Sequence, residues 1–357
     1  MRAYNFSAGP AVLPEEVLKQ AQAELVDYQG TGMSVMEMSH RGKEYSAIHD
    51  ETIANIKELL NIPAGYSVLF LTGGASTQFA MIPMNLLGAG QTADYTNSGA
   101  WASKAIKEAK ALGNVNVVAD CGKEIPTRVP SINELKLTDN AAYLHITSNE
   151  TISGAQWKVF PEHDCLIADM SSDMLSRPLD ASKFGLIYAG AQKNLGPAGV
   201  TLVIIKDELA ERCPETVPTM FRYKTHIENN SLYNTVPTFP VYILCLVTRW
   251  LKAKGGLEGM KKINEEKASK LYAAIDTSDF YKGTAVKEFR SDMNVTWRLP
   301  SEELEAQFVA EASKKNLKTL KGHRSVGGIR ASIYNAFPME GVDALISFMK
   351  EFEAKNG

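Results

Sequence analysis

Between residues 66 and 206, short apolar runs alternate with glycine-containing loops and with stretches of helical periodicity. Runs of this kind have the length and flanks of buried strands. They occur at residues 68–71, 92–96, 115–119, 142–146, 166–168, 186–189 and 200–205. Helical stretches lead towards Leu87 and Leu112 between these runs. The alternation predicts an α/β fold, in which a largely parallel sheet is covered by helices.

The chain changes character at Gly255-Gly256. A long charged helix is predicted after these glycines, followed by a strand, a helix, a strand and a final helix, which is typical of a smaller α+β domain. We therefore expect three parts: an N-terminal arm associated with the small domain, a large domain and a small C-terminal domain. Their predicted bounds are residues 1–15, 16–255 and 256–357.

Composition and charge exclude several classes of protein. The formal net charge is -3, from 38 basic and 41 acidic residues, which argues against a nucleic-acid binder with a strongly basic surface. No apolar run approaches the length of a membrane span, and the N-terminus lacks the apolar core of a signal peptide. The four cysteines are widely spaced without a metal-ligand pattern, so we expect reduced thiols, no metal and a cytoplasmic location.

The stretch with the most chemical information is residues 190–199, which separates two apolar runs and contains Lys193. Its glycines and Pro197 prevent a helix from starting directly after the first run. A lysine held between two buried strands is desolvated, and desolvation favours the neutral, nucleophilic amine that Schiff-base chemistry needs. Taken alone, a solvated lysine in a turn is the favoured interpretation, because lysine is almost never buried unpaired, and the surrounding residues reverse this preference.

Polar groups follow four other predicted strands, and in open α/β sheets ligands bind beyond the carboxyl ends of the strands. Each suits one part of pyridoxal phosphate: a glycine loop at a helix start for the phosphate, an indole for ring stacking, a hydroxyl for the ring hydroxyl and a carboxylate for the pyridinium. These groups are Gly73-Gly74-Ala75-Ser76, Trp101, Thr151 and Asp169. A capped turn, a core tryptophan, a satisfied hydroxyl and a turn-capping aspartate are the structural alternatives. Lys193 lies one strand and one connection after Asp169. Together with Lys193, the four polar groups indicate a pyridoxal-phosphate enzyme.

Three basic clusters lie outside the predicted sheet, namely His40-Arg41, His323-Arg324 and Arg330. The arginine fork matches carboxylates and phosphates with two hydrogen bonds, so several such groups predict a substrate with more than one anionic group. Solvated surface arginines are the alternative for each one separately. Glycines flank the second and third clusters, at positions 322, 327 and 328, which favours a shaped loop.

These motifs resemble the phosphoserine aminotransferase family, in the class V group of fold-type I pyridoxal-phosphate enzymes. The matching stretches span nearly the whole chain in the family's order. They are Asn5-Phe6-Ser7-Ala8-Gly9-Pro10, Ser39-His40-Arg41, Gly73-Gly74-Ala75-Ser76, Asn149-Glu150-Thr151, Gly190-Ala191-Gln192-Lys193-Asn194, Tyr233-Asn234-Thr235 and Gly322-His323-Arg324-Ser325-Val326-Gly327-Gly328-Ile329-Arg330-Ala331-Ser332. The last stretch distinguishes this family from cysteine desulfurases and other class V relatives.

The resemblance implies a role for each matching residue. Lys193 would carry pyridoxal 5'-phosphate as a Schiff base and then shuttle the proton at the substrate Cα, and Asp169 would pair with the pyridinium nitrogen. Trp101 would stack on the ring and Thr151 would bind its hydroxyl. The phosphate would be held by Ala75, Ser76 and Gln192, and by Asn234 and Thr235 of a second subunit in a homodimer with shared active sites. Arg330 would bind the substrate α-carboxylate, and the distal anion would be bound by His40, Arg41, His323 and Arg324.

The implied reaction is that of EC 2.6.1.52, which interconverts O-phospho-L-serine and 2-oxoglutarate with 3-phosphooxypyruvate and L-glutamate in serine biosynthesis. The same family often handles a phosphorylated 4-hydroxythreonine in vitamin B6 synthesis. Two alternatives remain at this stage, a class V enzyme for an unphosphorylated amino acid and a non-catalytic pyridoxal-phosphate protein. The basic clusters argue against the first alternative, and Lys193 with Asp169 argues against the second.

Overall fold

The structure is a computed structural model that describes residues 2–122 and 127–357. The predicted arm and large domain therefore extend beyond the described residues at Met1 and at residues 123–126. In chain order, the strands within the described residues are β1 (Tyr4–Asn5), β2 (Tyr66–Leu71), β3 (Thr92–Asn97), β4 (Asn114–Asp120), β5 (Leu144–Thr147), β6 (Asn149–Glu150), β7 (Ala155–Gln156), β8 (Leu166–Asp169), β9 (Leu186–Gly190), β10 (Thr201–Lys206), β11 (Lys282–Gly283), β12 (Asn294–Arg298), β13 (Leu317–Lys318) and β14 (Ile329–Ser332).

Helices connect and cover these strands. They are α1 (Glu15–Ala23), α2 (Lys43–Leu59), α3 (Gly74–Leu86), α4 (Ala100–Lys110), α5 (Asp207–Ala210), α6 (Tyr223–Glu228), α7 (Thr238–Ala253), α8 (Gly256–Asp276), α9 (Glu302–Lys314) and α10 (Met339–Asn356). No helix within the described ranges combines the length and the apolarity that crossing a membrane requires.

The central sheet has seven strands in the order β2-β10-β9-β8-β5-β3-β4. Only β10 runs opposite to the others, because it pairs antiparallel with both β9 and β2. A connection of ten residues joins β9 to β10, which is long enough for a hairpin and too short for a crossover helix. The α/β fold with a mostly parallel, helix-covered sheet is therefore confirmed.

Strands β5, β8 and β9 are buried at every residue, because the sheet has an apolar cluster on each face. Helices α2 and α7 pack on one of these clusters, and α3 and α4 pack on the other. The burial of these strands fixes the positions of their carboxyl ends. Any side chain at or just beyond those ends is therefore held by the core of the protein.

Helix α7 is an element that the sequence pattern does not single out. Its apolar run, residues 241–247, is continuous and all of it is buried. A continuous run has no period that distinguishes a buried helix from a buried strand. The helix packs against α2, on one face of the central sheet.

The C-terminal part of the chain has its own antiparallel sheet, in the order β11-β12-β14, and its own apolar cluster with α8, α9 and α10. The N-terminal arm joins this part, since β1 pairs in parallel with β13 and Phe6 is buried in the same cluster. The division into an arm, a large domain and a small domain at the predicted bounds stays a prediction.

Candidate active site

A cavity of about 560 Å³ lies at the carboxyl ends of β2, β5, β8 and β9 and reaches the first turn of α4, which follows β3. Because these ends all lie at one edge of the sheet, residues distant in sequence meet there. The cavity is lined by nine of the residues that the sequence predicts for the site. They are Ala75, Ser76, Trp101, Thr151, Asp169, Gln192, Lys193, His323 and Arg330.

Five other predicted residues do not line this cavity. Arg41, Asn234, Thr235 and Arg324 are exposed, and His40 is partly exposed. Asn234 instead lines a neighbouring cavity of about 260 Å³, together with Gly73 and Thr77. One chain therefore brings together most, but not all, of the predicted site.

The start of α3 forms one end of the cavity. Gly73 has a left-handed backbone with φ of 88°, and a Cβ on it would lie 1.8 Å from Thr77 Oγ1, so only glycine fits. The turn leaves the first N–H groups of a helix of 13 residues facing the cavity at Ala75 and Ser76. Such a helix start binds an anion through its N–H groups and its dipole. Gly190, at the end of β9, lies next to this turn, because a Cβ on Gly190 would lie 3.7 Å from the Ala75 nitrogen.

Asp169 is the last residue of β8 and is 5% exposed. Its Oδ1 accepts hydrogen bonds from the Ser171 nitrogen at 2.9 Å and from Ser171 Oγ at 2.6 Å. Burial raises the pKa of Asp169, and the two Ser171 bonds and the charge of Lys193 offset part of that rise. The described hydrogen bonds all end on Oδ1, which leaves Oδ2 for a cationic partner in the cavity.

Lys193 follows β9, which lies beside β8 in the sheet. Burial lowers the pKa of its amine, while the negative charges of Asp169 and Glu150 favour the ammonium. Its Nζ lies 5.7 Å from the centroid of the Trp101 ring. The stem of the side chain packs on the N-terminal arm, since a Cβ on Gly9 would lie 3.5 Å from Lys193 Cγ and Cε.

Trp101, Thr151 and Arg330 are joined by hydrogen bonds along one side of the cavity. Trp101 Nε1 donates to Thr151 Oγ1 at 3.0 Å, and Arg330 Nη1 donates to the Thr151 carbonyl at 3.0 Å. The Thr151 hydroxyl keeps its own proton for donation to a ligand. Burial lowers the pKa of Arg330, which we expect to remain charged because arginine is not deprotonated in proteins.

Glu150 is a residue of this region to which the sequence analysis assigned no role. It is completely buried, Ser98 Oγ donates a hydrogen bond to its Oε1 at 3.0 Å, and the nearby backbone at the start of α4 favours its charged form. A Cβ on Gly99 would lie 2.8 Å from its carboxyl carbon. Burial raises the pKa of Glu150 to about 7. The only signal in the sequence is its place in the motif beside Thr151.

The glycine-rich loop before β14 is held by its own backbone. The Gly322 nitrogen donates to the Gly328 carbonyl at 2.8 Å, and a Cβ on Gly322 would lie 2.0 Å from the Gly327 carbonyl oxygen. His323 Nδ1 lies 2.7 Å from Ser325 Oγ. Partial burial, and then the positive charges of Arg330, Arg324 and Lys104, lower the pKa of His323.

Comparisons with known proteins agree with this geometry. The family described as aminotransferase class-V matches residues 3–345. A phosphoserine aminotransferase of Niallia circulans is 57% identical over 359 residues, covering 100% of the chain and 99% of that protein. The solved phosphoserine aminotransferase of Bacillus circulans subsp. alkalophilus has a TM-score of 0.98 and 57% identity, covering 100% of the chain and 99% of its own. The pyridoxal-phosphate-bound phosphoserine aminotransferase of Trichomonas vaginalis has a TM-score of 0.94 and 43% identity, covering 98% and 100%.

Proposed function

The chain belongs to the phosphoserine aminotransferases, within the class-V aminotransferase family, and we propose that the cavity at the strand ends is the site of their reaction. The enzyme transfers the amino group of phosphoserine to an oxo acid, and the reaction also runs in the opposite direction. In our proposal it interconverts O-phospho-L-serine and 2-oxoglutarate with 3-phosphooxypyruvate and L-glutamate. One observation carries the proposal: Asp169, Lys193 and the free start of α3 line a single cavity.

The residues of the cavity fit pyridoxal phosphate. The start of α3 accepts an anion, Asp169 is a buried carboxylate that needs a cationic partner, and Lys193 is a partly buried amine that lines the cavity. Ala75, Ser76 and Gln192 would hold the phosphate group, and Lys193 would hold the cofactor covalently through its amine. When bound, this cofactor supplies an electron sink for the negative charge left at the substrate Cα.

The chain's own residues would handle the protons of the reaction. Asp169 would hold a proton at the ring nitrogen by accepting a hydrogen bond from it, as a buried carboxylate does with a nearby cation. Lys193 Nζ would remove the proton at the substrate Cα and return one, because its lowered pKa favours the neutral amine that acts as a base. Trp101 and Thr151 would orient the ring, since each is fixed by the hydrogen bond between them.

Substrate recognition would come from the positive charges at the other end of the cavity. Arg330 would bind the α-carboxylate, and His323 with Arg324 would bind the distal phosphate or carboxylate. Within the described residues, Arg324, Arg330 and the nearby Lys104 form no ion pair with an acidic side chain. A positive region of this kind attracts an anion, and both amino donors carry an anionic group at their far end.

We further propose a homodimer in which each subunit completes the other's site. His40, Arg41, Asn234 and Thr235 lie outside the cavity of their own chain, so they are available to a second subunit. Large apolar side chains are exposed in the same segments of sequence, as a subunit interface requires. These side chains are Leu25, Val26, Met33, Met36, Met220, Phe221 and Tyr233.

The experiment that tests the proposed function is the absorbance spectrum of the purified protein with and without O-phospho-L-serine. We expect a visible band from the bound cofactor, and we expect O-phospho-L-serine to abolish it while L-serine at the same concentration leaves it unchanged. A band that L-serine abolishes equally would indicate an unphosphorylated substrate. A band that neither compound changes would contradict the aminotransferase assignment of this cavity.

Besides the domain bounds, two further expectations from the sequence stay predictions. They are the vitamin B6 step with a phosphorylated 4-hydroxythreonine and the cytoplasmic location. The first can be tested in the same absorbance experiment by adding the phosphorylated hydroxythreonine as a third compound.

A further inference from the structure

Lys267 is a buried lysine of α8 whose surface is 0% exposed. Its Nζ donates to the carbonyl oxygens of Tyr334 at 2.6 Å, Ile333 at 2.9 Å and Phe337 at 3.2 Å, and the Asn335 carbonyl lies at 3.5 Å. No acidic side chain forms an ion pair with it among the described residues. A lysine is almost never fully buried without a paired charge, so this arrangement needs an explanation.

The four carbonyl groups belong to one turn, residues 333–337, which connects β14 to α10. An ammonium has three N–H donors and no acceptor, whereas a neutral amine would direct a lone pair at a carbonyl oxygen. The geometry therefore favours the ammonium, although burial lowers the pKa of Lys267 to about 7. Lys267 holds four backbone oxygens of the turn around one positive charge.

The same turn contacts the loop that contains Lys193. The Asn335 nitrogen donates to Asn194 Oδ1 at 3.0 Å, and Asn335 Nδ2 donates to the Leu175 carbonyl at 2.8 Å. Asn194 follows Lys193 directly and is buried. The position of the turn therefore sets the position of the residue next to the reacting lysine.

The turn also contacts the N-terminal arm. Tyr334 is fully buried, and its hydroxyl donates to the Ala8 carbonyl at 2.8 Å. Ala8 and Gly9 line the active-site cavity, and Gly9 packs against the stem of Lys193. The turn thus supports Lys193 from two directions, through Asn194 on its own loop and through the arm beside its side chain.

We propose that Lys267 is a positioning residue of the aminotransferase reaction. Its ammonium fixes the turn at residues 333–337, and the turn fixes Asn194 and the N-terminal arm around Lys193. This inference rests on the proposed role of Lys193 as the reacting lysine. Among the residues that the structure describes, neither Lys267 nor any of its hydrogen-bond partners lines the cavity.

The test replaces Lys267 with methionine, which has a similar length and no charge. Lys270→Met is the matched control, because Lys270 is on the same helix and pairs with Asp343 at the surface. Hydrogen exchange of the purified holoenzyme is followed by mass spectrometry, well below the melting temperature of each variant. We expect exchange in residues 4–11 and 190–199 to be on the order of tenfold faster in Lys267→Met and unchanged in Lys270→Met.

Turnover per bound cofactor provides a second readout. Misplacement of a reacting group by about 1 Å can lower the rate by on the order of a hundredfold, whereas no substrate contact is lost. For Lys267→Met we therefore expect a kcat at least about tenfold lower and a KM for O-phospho-L-serine within about twofold of the wild type. A purely structural role would reduce the amount of active enzyme and leave kcat per bound cofactor unchanged. That result, or unchanged exchange in both segments, would overturn the proposal.

A milder variant tests the contact to the arm even where Lys267→Met does not fold. Tyr334→Phe keeps Lys267 and removes only the hydroxyl group that reaches Ala8 and Asn294. We expect faster exchange in residues 4–11 and wild-type exchange in residues 190–199. Unchanged exchange in residues 4–11 would overturn the proposed support of the arm. The absorbance experiment on the wild type tests the proposed function separately, so failure of one idea is distinguishable from failure of the other.

Discussion

The two ends of the cavity are built in different ways. We call one end the cofactor wall, consisting of Ala75, Ser76, Trp101, Thr151, Asp169, Gln192 and Lys193. We call the predicted substrate-binding residues the anion wall, consisting of His40, Arg41, His323, Arg324 and Arg330. These seven residues line one cavity of a single chain, whereas Asn234 and Thr235, which are also predicted to bind the cofactor, lie outside that cavity. Only two residues of the anion wall line the same cavity, namely His323 and Arg330.

Electrostatics separates the two walls further. Asp169 belongs to the cofactor wall, and Glu150 lies beside it. Burial raises the pKa of both carboxyl groups. At the anion wall, partial burial and then neighbouring positive charges lower the pKa of His323. The core of the sheet can hold groups for a cofactor that stays bound. Of the groups proposed to bind a substrate that must leave, Arg330 is on β14, and the other four lie in loops and turns, where they are open to a second subunit.

The largest expected effect is on the cofactor wall. Lys193→Ala removes the amine that would hold the cofactor and move the proton at the substrate Cα. We expect kcat to fall by at least about a thousandfold, as for the loss of a general base that is also the covalent attachment point. Turnover of O-phospho-L-serine per protein chain is the measurement, and Lys183→Ala, at an exposed lysine, is the control. Turnover within about tenfold of the wild type would contradict the role of Lys193.

Asp169→Asn is expected to have the next largest effect. Asparagine keeps an oxygen for the Ser171 hydrogen bonds but loses the charge that would hold the ring nitrogen protonated. We expect kcat to fall on the order of a hundredfold, since a buried charge partner of the reacting system is lost. The same change removes a negative charge that favours the Lys193 ammonium, so the pKa of Lys193 should fall further below its ordinary value. Modification of Lys193 by an amine reagent in the cofactor-free protein, followed as a function of pH, measures this shift, and a rise in the pKa would contradict the electrostatic argument.

Arg330→Leu tests the part of the anion wall that lies within the cavity. Its guanidinium is proposed to bind the α-carboxylate, which both amino donors share. We therefore expect KM to rise about tenfold to a hundredfold for O-phospho-L-serine and L-glutamate alike, with a smaller change in kcat. Steady-state kinetics with each donor is the measurement. An effect on phosphoserine alone would indicate that Arg330 binds the distal phosphate. No effect on either amino donor would show that Arg330 does not bind the substrate.

Mixed dimers test whether the rest of the anion wall belongs to a second subunit. Arg41→Ala and Lys193→Ala subunits are each expected to form weakly active or inactive homodimers. In a mixed dimer, one site would carry both defects and the other would carry neither, if Arg41 acts across the interface. Random mixing would then restore about a quarter of the wild-type sites. No recovery, although mass spectrometry shows mixed dimers, would place Arg41 in the site of its own chain.

The sequence predicts for a physical reason that the residues of the cofactor wall meet in one place, while their roles stay predictions. Apolar runs mark the strands, and polar groups directly after strands must meet at one sheet edge. The side-by-side packing of β8 and β9, which brings Asp169 and Lys193 together, follows from that logic. The sequence also predicts the α/β fold, but it does not single out α7, because a continuous apolar run has no helical period.

The sequence pattern does not show which polar residues are buried. Glu150 is buried against Ser98 and Gly99, which are about fifty residues away in the chain, and local patterns cannot show such a contact. Lys267 is one of many charged residues of α8. Its position in the stripe of Asn264, Lys267 and Leu271, spaced by three and four residues, is the signal that could have indicated burial.

The smallest expected effect concerns the stability of the cofactor wall. The pKa of Glu150 is about 7 in the folded protein and close to 4.5 in the unfolded chain, so the folded state binds more protons between these pH values. The contribution of Glu150 to stability is therefore present below about pH 4.5 and is lost as the pH rises through 7. Glutamine does not titrate, so the Glu150→Gln variant should lack this part of the pH dependence of the free energy of unfolding.

We expect the free energy of unfolding to fall between pH 5 and pH 8 by up to about 3 kcal/mol more in the wild type than in Glu150→Gln. Urea unfolding at the two pH values is the measurement, and Glu162→Gln, at an exposed position, is the control. A large difference would mean that the burial of Glu150 beside the cofactor wall lowers the free energy of unfolding at neutral pH. The exposed loops of the anion wall bury no such carboxyl group. Equal slopes in the wild type and Glu150→Gln would show that Glu150 is already ionised at low pH, held so by Ser98 and the start of α4.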